Sequence, residues 1–321
     1  MTKAFEESLS LFKDKISDCI KSKKSISITT HIDCDGLTSG SIIAKALIRE
    51  GAKYTLRTSK EFSKNVVESF KTDSRDFHII TDLGGGFGKD LNQTLGDNWI
   101  ILDHHQISEE EKDNQNIINA WKYEIDGGTE ISAGGMAYFA ATPLNEKNSD
   151  LSEIAIVSAL GDRQDQGDRK SFTGKNFEIS NTAKELGLVD IDLDLLLVGR
   201  ETRPLAEALA FTSQPFIEGL TWNKETCLSV LKSSGIQLKE EGRWRVPAEL
   251  NEEEKKTVIE AITKFSSDKN TSEIMSELIG YTYTFPKEDK RSFLRDGREY
   301  STMLNSCGRI NRSGVGMAIC M

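Results

Sequence analysis

The sequence predicts an α/β protein: a parallel β-sheet flanked by helices, followed by a mainly helical region. Two observations carry this. Up to Trp121, short apolar runs alternate with segments of helical periodicity in the order that βαβ units require, at intervals that suit right-handed crossovers. Several of those runs also end in acidic or histidine side chains, at the strand edge where open α/β sheets gather ligands.

The elements follow in order. Residues 3–21 alternate charge with apolar residues at helical spacing and predict a helix. Residues 25–30 predict a strand, 37–49 a helix, 53–57 a strand and 62–70 a helix. Residues 78–81 and 99–102 predict two more strands, and 115–121 an edge segment. Ser132 is placed to N-cap a helix running through 141, with Gly134 and Gly135 allowing another backbone close by. A phosphate bound at that N-terminus is the alternative use of those glycines. Residues 154–160 form an apolar core segment. From about 189 the character shifts. Asp190, Asp192 and Asp194 alternate with apolar residues but have no histidine beside them, and are expected to mark a helix start. Residues 217–273 read as mostly helical, with a loop at 239–247.

The chemistry is concentrated in four stretches. Residues 28–43 read ITTHIDCDGLTSGSII, and in an extended chain the period of two sends His31, Asp33 and Asp35 to one side while Ile32 and Cys34 face the other. Gly36 then permits a sharp turn into the helix. Alone, this could be a polar loop capped by Asp35. DFHIITD, however, ends in Asp82; NWIILDHH ends in Asp103, His104 and His105; ALGDRQDQG carries Asp162. The remaining histidine, His78, lies inside a strand and reads as core. Carboxylates and imidazoles in this number suit Mn²⁺, with Mg²⁺ and Co²⁺ as lesser options. They exceed what one octahedral ion can use, so two ions are expected. Such a pair typically serves phosphoester hydrolysis.

Bulk properties bound the answer. A chain of 321 residues with 37% hydrophobic content can bury the cores of two modest domains. Cys19, Cys34, Cys227, Cys307 and Cys320 form no CxxC pair, which argues against a structural zinc site and suits a reducing cytoplasm. The N-terminus reads as neither a signal peptide nor a membrane span, and no membrane role is expected. A net charge of −10 argues against long-duplex binding. Lys290, Arg291, Arg295, Arg298, Arg309 and Arg312 are locally dense, but Glu288, Asp289, Asp296 and Glu299 interleave with them, as on a solvated helix face.

HIDCDG, ITD, LDHH and GDRQD, in that order, resemble the four motifs of the DHH phosphoesterase superfamily. LNSCGRINRSGVGMAIC, near the C-terminus, resembles the LNAAGR stretch and following small-residue helix of RecJ-type nucleases. With GRETRPL at 199–205, the likeness extends to archaeal RecJ-like proteins, a group that includes the GINS-associated nuclease and relatives of the eukaryotic replicative-helicase factor. The resemblance implies one metal held by His31, Asp33 and a bridging Asp82, and another held by Asp35, Asp82, His104 and Asp162. It places His105 at the scissile phosphate and makes Asp103 the carboxylate that orients the histidine pair. It also assigns substrate contacts to Asn305, Gly308 and Arg309, with a helix-start salt bridge as the alternative for Arg309.

The family's Gly-Gly-His-x-x-Ala-Ala-Gly sequence does not occur here, so the substrate grip is expected to be incomplete. The implied organisation is a DHH domain over 1–190, a helical insertion over 191–295, and the start of an incomplete DHHA1-type domain over 296–321. The expected function is a Mn²⁺-dependent phosphodiesterase or exonuclease acting on single-stranded DNA or RNA in replication or repair. Its expected partners are single strands or short oligonucleotides and a replication complex such as GINS. The alternatives are a small-substrate phosphodiesterase or oligoribonuclease of the same superfamily, and a replication scaffold with little catalysis.

Overall fold

The computed structural model describes residues 2–266 and 271–321, with 271–273 described by backbone alone. The chain forms two compact units. One comprises Met1–Gln166, Phe172–Leu188 and Ser301–Met321; the other comprises Gly167–Ser171 and Val189–Tyr300.

The first unit opens with α1 (Lys3–Lys21), which buries Phe5, Leu9, Phe12, Ile16 and Cys19 at helical spacing. Then follow β1 (Ser25–His31), α2 (Cys34–Arg49), β2 (Lys53–Ser59), α3 (Lys64–Phe70), β3 (Phe77–Thr81), α4 (Gly88–Leu95), β4 (Trp99–Asp103) and β5 (Ile117–Asn119). The five strands make one parallel sheet in the order β2-β1-β3-β4-β5. β3, β4 and β5 are buried along their whole length, whereas β2 is a half-exposed polar edge strand. Ile80, Trp99, Ile101 and Ile117 pack with Val67 and Phe70 of α3 and Leu91 of α4. α2 lies against β1, β2 and β3, and packs in turn on α5 (Ala133–Ala141) and α6 (Ser152–Gly161). All of α5 and most of α6 are buried, so both are interior helices without a polar face. α7 (Gly174–Glu185) packs on α6.

The second unit contains β6 (Asp190–Leu195), α8 (Leu205–Phe211), α9 (Lys224–Ser233), β7 (Lys239–Glu240), β8 (Arg243–Trp244), α10 (Glu252–Ser266), α11 (Thr271–Leu278) and β9 (Ile279–Thr284). Leu195, Leu209, Leu231, Val258, Ile262 and Leu278 form its core. Two helices close the chain, α12 (Gly297–Arg309) and α13 (Ser313–Cys320). α13 packs on α2. Residues 301–321 thus belong to the first unit, whereas the sequence set 296–321 apart as the start of a third domain.

Several boundaries differ from expectation for physical reasons. Asp190, Asp192 and Asp194 do not start a helix. They lie in β6, which pairs antiparallel with β9 from Asp190↔Thr284 to Leu195↔Ile279. The period-two alternation was the true signal, and its pairing partner lies too far along the chain for a local reading to find. The 239–247 loop is the two-stranded β7–β8 hairpin followed by a short 3₁₀ turn. The helical expectation over 217–273 holds for α9 and α10, and residues 267–270 of it lie outside the described residues. Helix α2 begins at Cys34 rather than residue 37 because Asp33 N-caps it, its Oδ1 accepting from the Gly36 N–H at 2.9 Å. Gly36 therefore sits inside the helix and makes no turn. Its value is space, since a Cβ there would lie 2.4 Å from the His31 carbonyl oxygen. No helix among the described residues is long and apolar enough to cross a membrane.

Candidate metal centre

The sheet order puts the C-terminal ends of β1, β3 and β4 side by side. His31 ends β1, Asp82 follows β3, and Asp103 ends β4, with His104 and His105 just beyond. Asp33 and Asp35 come from the first turn of α2, and Asp162 C-caps α6. All six residues implied as ligands thereby converge. Single ligand atoms from His31, Asp33 and Asp82 lie within 4.8 Å of one another, as do those from Asp35, His104 and Asp162, and from Asp82, His104 and His105.

Asp82 stands between two sets of partners. Its Oδ1 is 3.3 Å from His104 Nε2, and its Oδ2 is 3.6 Å from His31 Nδ1. That Oδ2 is buried and accepts no hydrogen bond among the described residues. A buried carboxylate oxygen without a donor is costly. The backbone at Asp82 is also left-handed, with φ 62°, a conformation uncommon outside glycine. Burial, followed by the Asp35 charge, pushes the Asp82 carboxyl up to about 6. The same two causes push Asp162 up to about 7. His31 is raised to about 10 by its contact with Asp33, at 2.9 Å, and then by the nearby Asp82 carboxylate.

His104 is oriented from behind. Its Nδ1 lies 2.6 Å from the Gly127 carbonyl, which fixes that nitrogen as the N–H donor. Nε2 therefore faces Asp35 Oδ2 at 3.2 Å and Asp82 Oδ1 at 3.3 Å. A neutral imidazole would present a lone pair to two carboxylates there. Either a second proton or a cation must intervene. In the protein alone it is the proton: burial works against it, but the Asp35 and Asp82 hydrogen bonds prevail and raise the His104 pKa well above the usual histidine range.

Asp35 is held by groups that the sequence did not connect to it. Its Oδ2 accepts from the Ala133 N–H at 2.9 Å, and its Oδ1 from the Gly134 N–H at 3.0 Å and from the Ser158 hydroxyl. The α5 N-terminus is thus occupied by a carboxylate of the protein itself, which removes the phosphate alternative for Gly134 and Gly135. Asp103 accepts from the backbone N–H groups of His104 and His105 at 2.8 and 3.2 Å, and from His105 Nδ1 at 2.8 Å. It orients the His105 ring directly; the His104 ring is held by Gly127 instead. His105 is exposed.

Gln164 escaped the sequence reading. It is fully buried, its Nε2 lying 2.8 Å from both the Gly127 carbonyl and Asp162 Oδ2. Its Oε1 accepts from Asn176 Nδ2 at 2.6 Å. One side chain therefore steadies Asp162 and also the carbonyl that orients His104. The available signals were its position two residues after Asp162 and, for Ser158, one helical turn before it.

The C-terminal candidates are placed differently from one another. Asn305 Oδ1 accepts from the Cys34 N–H at 2.9 Å, and Gly308 lies so close to Ile32 that a Cβ would meet its carbonyl oxygen. Both support the backbone that carries Asp33 and Asp35. Arg309 is exposed at the end of α12, not at a helix start, and makes no ion pair among the described residues.

The chain belongs to the DHH family: residues 25–161 match the DHH family N-terminal domain and residues 197–279 the DHH-CID domain. It is 30% identical over 322 residues to an uncharacterized protein of Methanocaldococcus jannaschii, an alignment covering 96% of this chain and 68% of that one. Its fold is similar to that of CDC45 from Entamoeba histolytica, with a TM-score of 0.66 at 16% identity, over 99% of this chain and 68% of that one. A likeness to exonuclease RecJ bound to manganese has a TM-score of 0.47 at 11% identity, over 99% of this chain and 66% of that one.

Proposed function

We propose that this chain is a two-metal phosphodiesterase that cleaves single-stranded nucleic acid. The carrying observation is Asp82. Its two oxygens face different ligand sets, and one of them is buried with no donor, as a carboxylate that bridges two cations would be. His31 and Asp33 complete one site; Asp35, His104 and Asp162 complete the other. The all-oxygen-and-imidazole donor set suits Mn²⁺ or Mg²⁺ better than a thiolate-seeking ion. The chemistry that two such ions supply is water activation and charge neutralisation during in-line displacement at phosphorus.

The remaining roles belong to the protein. His105, exposed and oriented by Asp103, donates a hydrogen bond to the scissile phosphate, and exposed Arg309 binds a phosphate further along the strand. Asn305 and Gly308 act at one remove, by holding the Cys34 and Ile32 backbone.

The test is hydrolysis of end-labelled single-stranded DNA and RNA of several lengths with Mn²⁺, Mg²⁺ or chelator. Metal-dependent product ladders are expected, absent with chelator. Cleavage confined to di- and trinucleotides would replace the single-strand reading with a small-substrate one. No hydrolysis of any substrate, together with no metal binding by calorimetry, would remove the enzyme reading altogether.

A further inference from the structure

The second unit holds a cavity of about 480 Å³ in which Arg200, Lys290, Arg291 and Arg295 converge. Lys290, Arg291 and Arg295 belong to the basic stretch that sequence alone assigned to a solvated face; Arg200 comes from the distant GRETRPL segment. In a chain of net charge −10, such a convergence calls for a physical account.

Two of the three acids in the wall, Glu201 and Glu249, are already engaged; the third, Glu240, is exposed and makes no ion pair among the described residues. Arg291 takes Glu249 bidentately, Nε to Oε1 at 2.9 Å and Nη2 to Oε2 at 2.7 Å, and Glu249 also accepts from the Val246 N–H at 3.0 Å. Glu201, buried, accepts from the Arg291 N–H at 3.1 Å and lies 3.5 Å from Arg295 Nε and 3.6 Å from Arg200 Nη1. Asp194 holds Arg200 through Nη2 at 2.7 Å and Nε at 3.1 Å. These carboxylates act as struts that keep planar guanidinium groups in place.

Cationic capacity is left over. Lys290 is exposed and makes no ion pair among the described residues. Arg200 Nη1 reaches the Thr284 hydroxyl only at 3.3 Å, and Arg295, whose Nη1 donates to the Pro286 and Glu288 carbonyls, meets a carboxylate only through Nε, at 3.5 Å from Glu201. Thr284 is itself part of the wall. The hairpin that supplies Glu240 to the wall also carries Trp244, which lies outside the lining, with Lys239 Nζ 4.3 Å from its exposed ring and its carbonyl accepting from Arg291 Nη2 at 2.8 Å.

From this geometry we infer that the cavity binds a nucleoside monophosphate, with the phosphoryl group on Arg200, Lys290 and Arg295 and the base beside Trp244. Fixed guanidinium forks match phosphate oxygens, and a dianionic monoester uses several surplus cations where a carboxylate uses fewer. The volume falls within the range of small-ligand pockets. An exposed indole offers a base a stacking surface that free phosphate cannot use. The inference is independent of the metal centre.

The test is calorimetric titration of the full chain, in chelator, with adenosine monophosphate and with inorganic phosphate. The nucleotide should bind about tenfold more tightly than phosphate. Lys290→Gln should weaken nucleotide binding roughly fivefold and Arg295→Gln about tenfold or more, with Asp82→Asn unchanged. Lys290 has no ion pair to lose, so its variant is expected to fold and decides the matter even where Arg295→Gln does not. No binding at about 10 mM nucleotide, or binding indifferent to Lys290→Gln, overturns the site. Phosphate binding as tightly as the nucleotide overturns the choice of ligand. Binding lost in Asp82→Asn but kept in Lys290→Gln assigns the nucleotide to the metal centre instead.

Discussion

In the second unit, Asp194 lies 2.7 Å from Arg200 Nη2 and 2.9 Å from Lys255 Nζ; in the first, the cationic partners of Asp82 among the described residues are imidazole nitrogens, at 3.3, 3.6 and 3.8 Å, and it shares its surroundings with Asp35. Both carboxylates are buried. Burial raises both, yet Asp194 ends below its ordinary value because Arg200 and Lys255 outweigh it, whereas Asp82 is driven up to about 6. The comparison separates structural charge from functional charge. Where a buried acid serves the fold, the chain supplies its own arginine or lysine. Where acids crowd together without one, their titration is perturbed and the cluster is able to take a cation from outside.

The largest expected effect tests the uncompensated side. Asp82→Asn should lower metal-dependent hydrolysis by roughly a thousandfold, because both metal positions lose charge at once. It should also abolish most of the rise in melting temperature that Mn²⁺ produces by mass action. A variant that kept the full Mn²⁺-induced shift would break the comparison at its centre.

The compensated side should fail differently. Asp194→Ala leaves Arg200 and Lys255 without their shared acid and should cost about 3 kcal/mol of stability in urea unfolding. Its Mn²⁺ affinity should stay at the wild-type value. Loss of metal binding without loss of stability would mean that the two clusters are not distinct in kind.

Titration sharpens the contrast. In the metal-free protein, His31 is raised from 6.5 to about 10, so its contribution to stability is full below pH 6.5 and lost as pH climbs through about 10. Asp82 and Asp162 also hold protons more tightly folded than unfolded. Their contribution is full below about pH 3.8 and lost as pH rises through about 6 and about 7. Metal must displace these protons, so Mn²⁺ affinity should increase between pH 5 and 7 by about tenfold per unit for each proton released. Calorimetry in two buffers of different ionisation enthalpy counts those protons directly. An affinity flat across that range would show that the carboxylates are already ionised.

The smallest effect concerns support. Gln164→Ala should weaken Mn²⁺ binding by about tenfold, since it frees Asp162 and relaxes the Gly127 carbonyl behind His104. Unchanged affinity with reduced stability would make Gln164 a purely structural amide.

Much of this was legible in sequence because strands and motifs are local. The apolar runs located all five strands of the parallel sheet, and the residues closing three of them predicted the edge at which acids and imidazoles gather. The failures were those of register and capping. DIDLDL has the period of a strand, but its mate β9 lies some ninety residues on, and only tertiary pairing decides between a strand and an acidic helix start. The start of α2 was misplaced because Asp33 serves as cap and candidate ligand together, a double use that spacing cannot reveal.

What the sequence by itself determined is where the acids and imidazoles stand: His31, Asp33, Asp35, Asp82, His104 and Asp162 lie at the ends of local elements, and the sheet then has little choice but to gather them. Only the tertiary structure decided how they are held. Asp35 leans on the amides of α5, His104 on the Gly127 carbonyl, Asp162 on Gln164, and the Cys34 N–H on Asn305. It also decided that Arg200 should meet Arg291 and Arg295 in one cavity. The physical reason is common to all of these. A buried polar group takes whichever donor, acceptor or counter-charge the packing of distant segments brings within about 3 Å, and no local pattern encodes that partner.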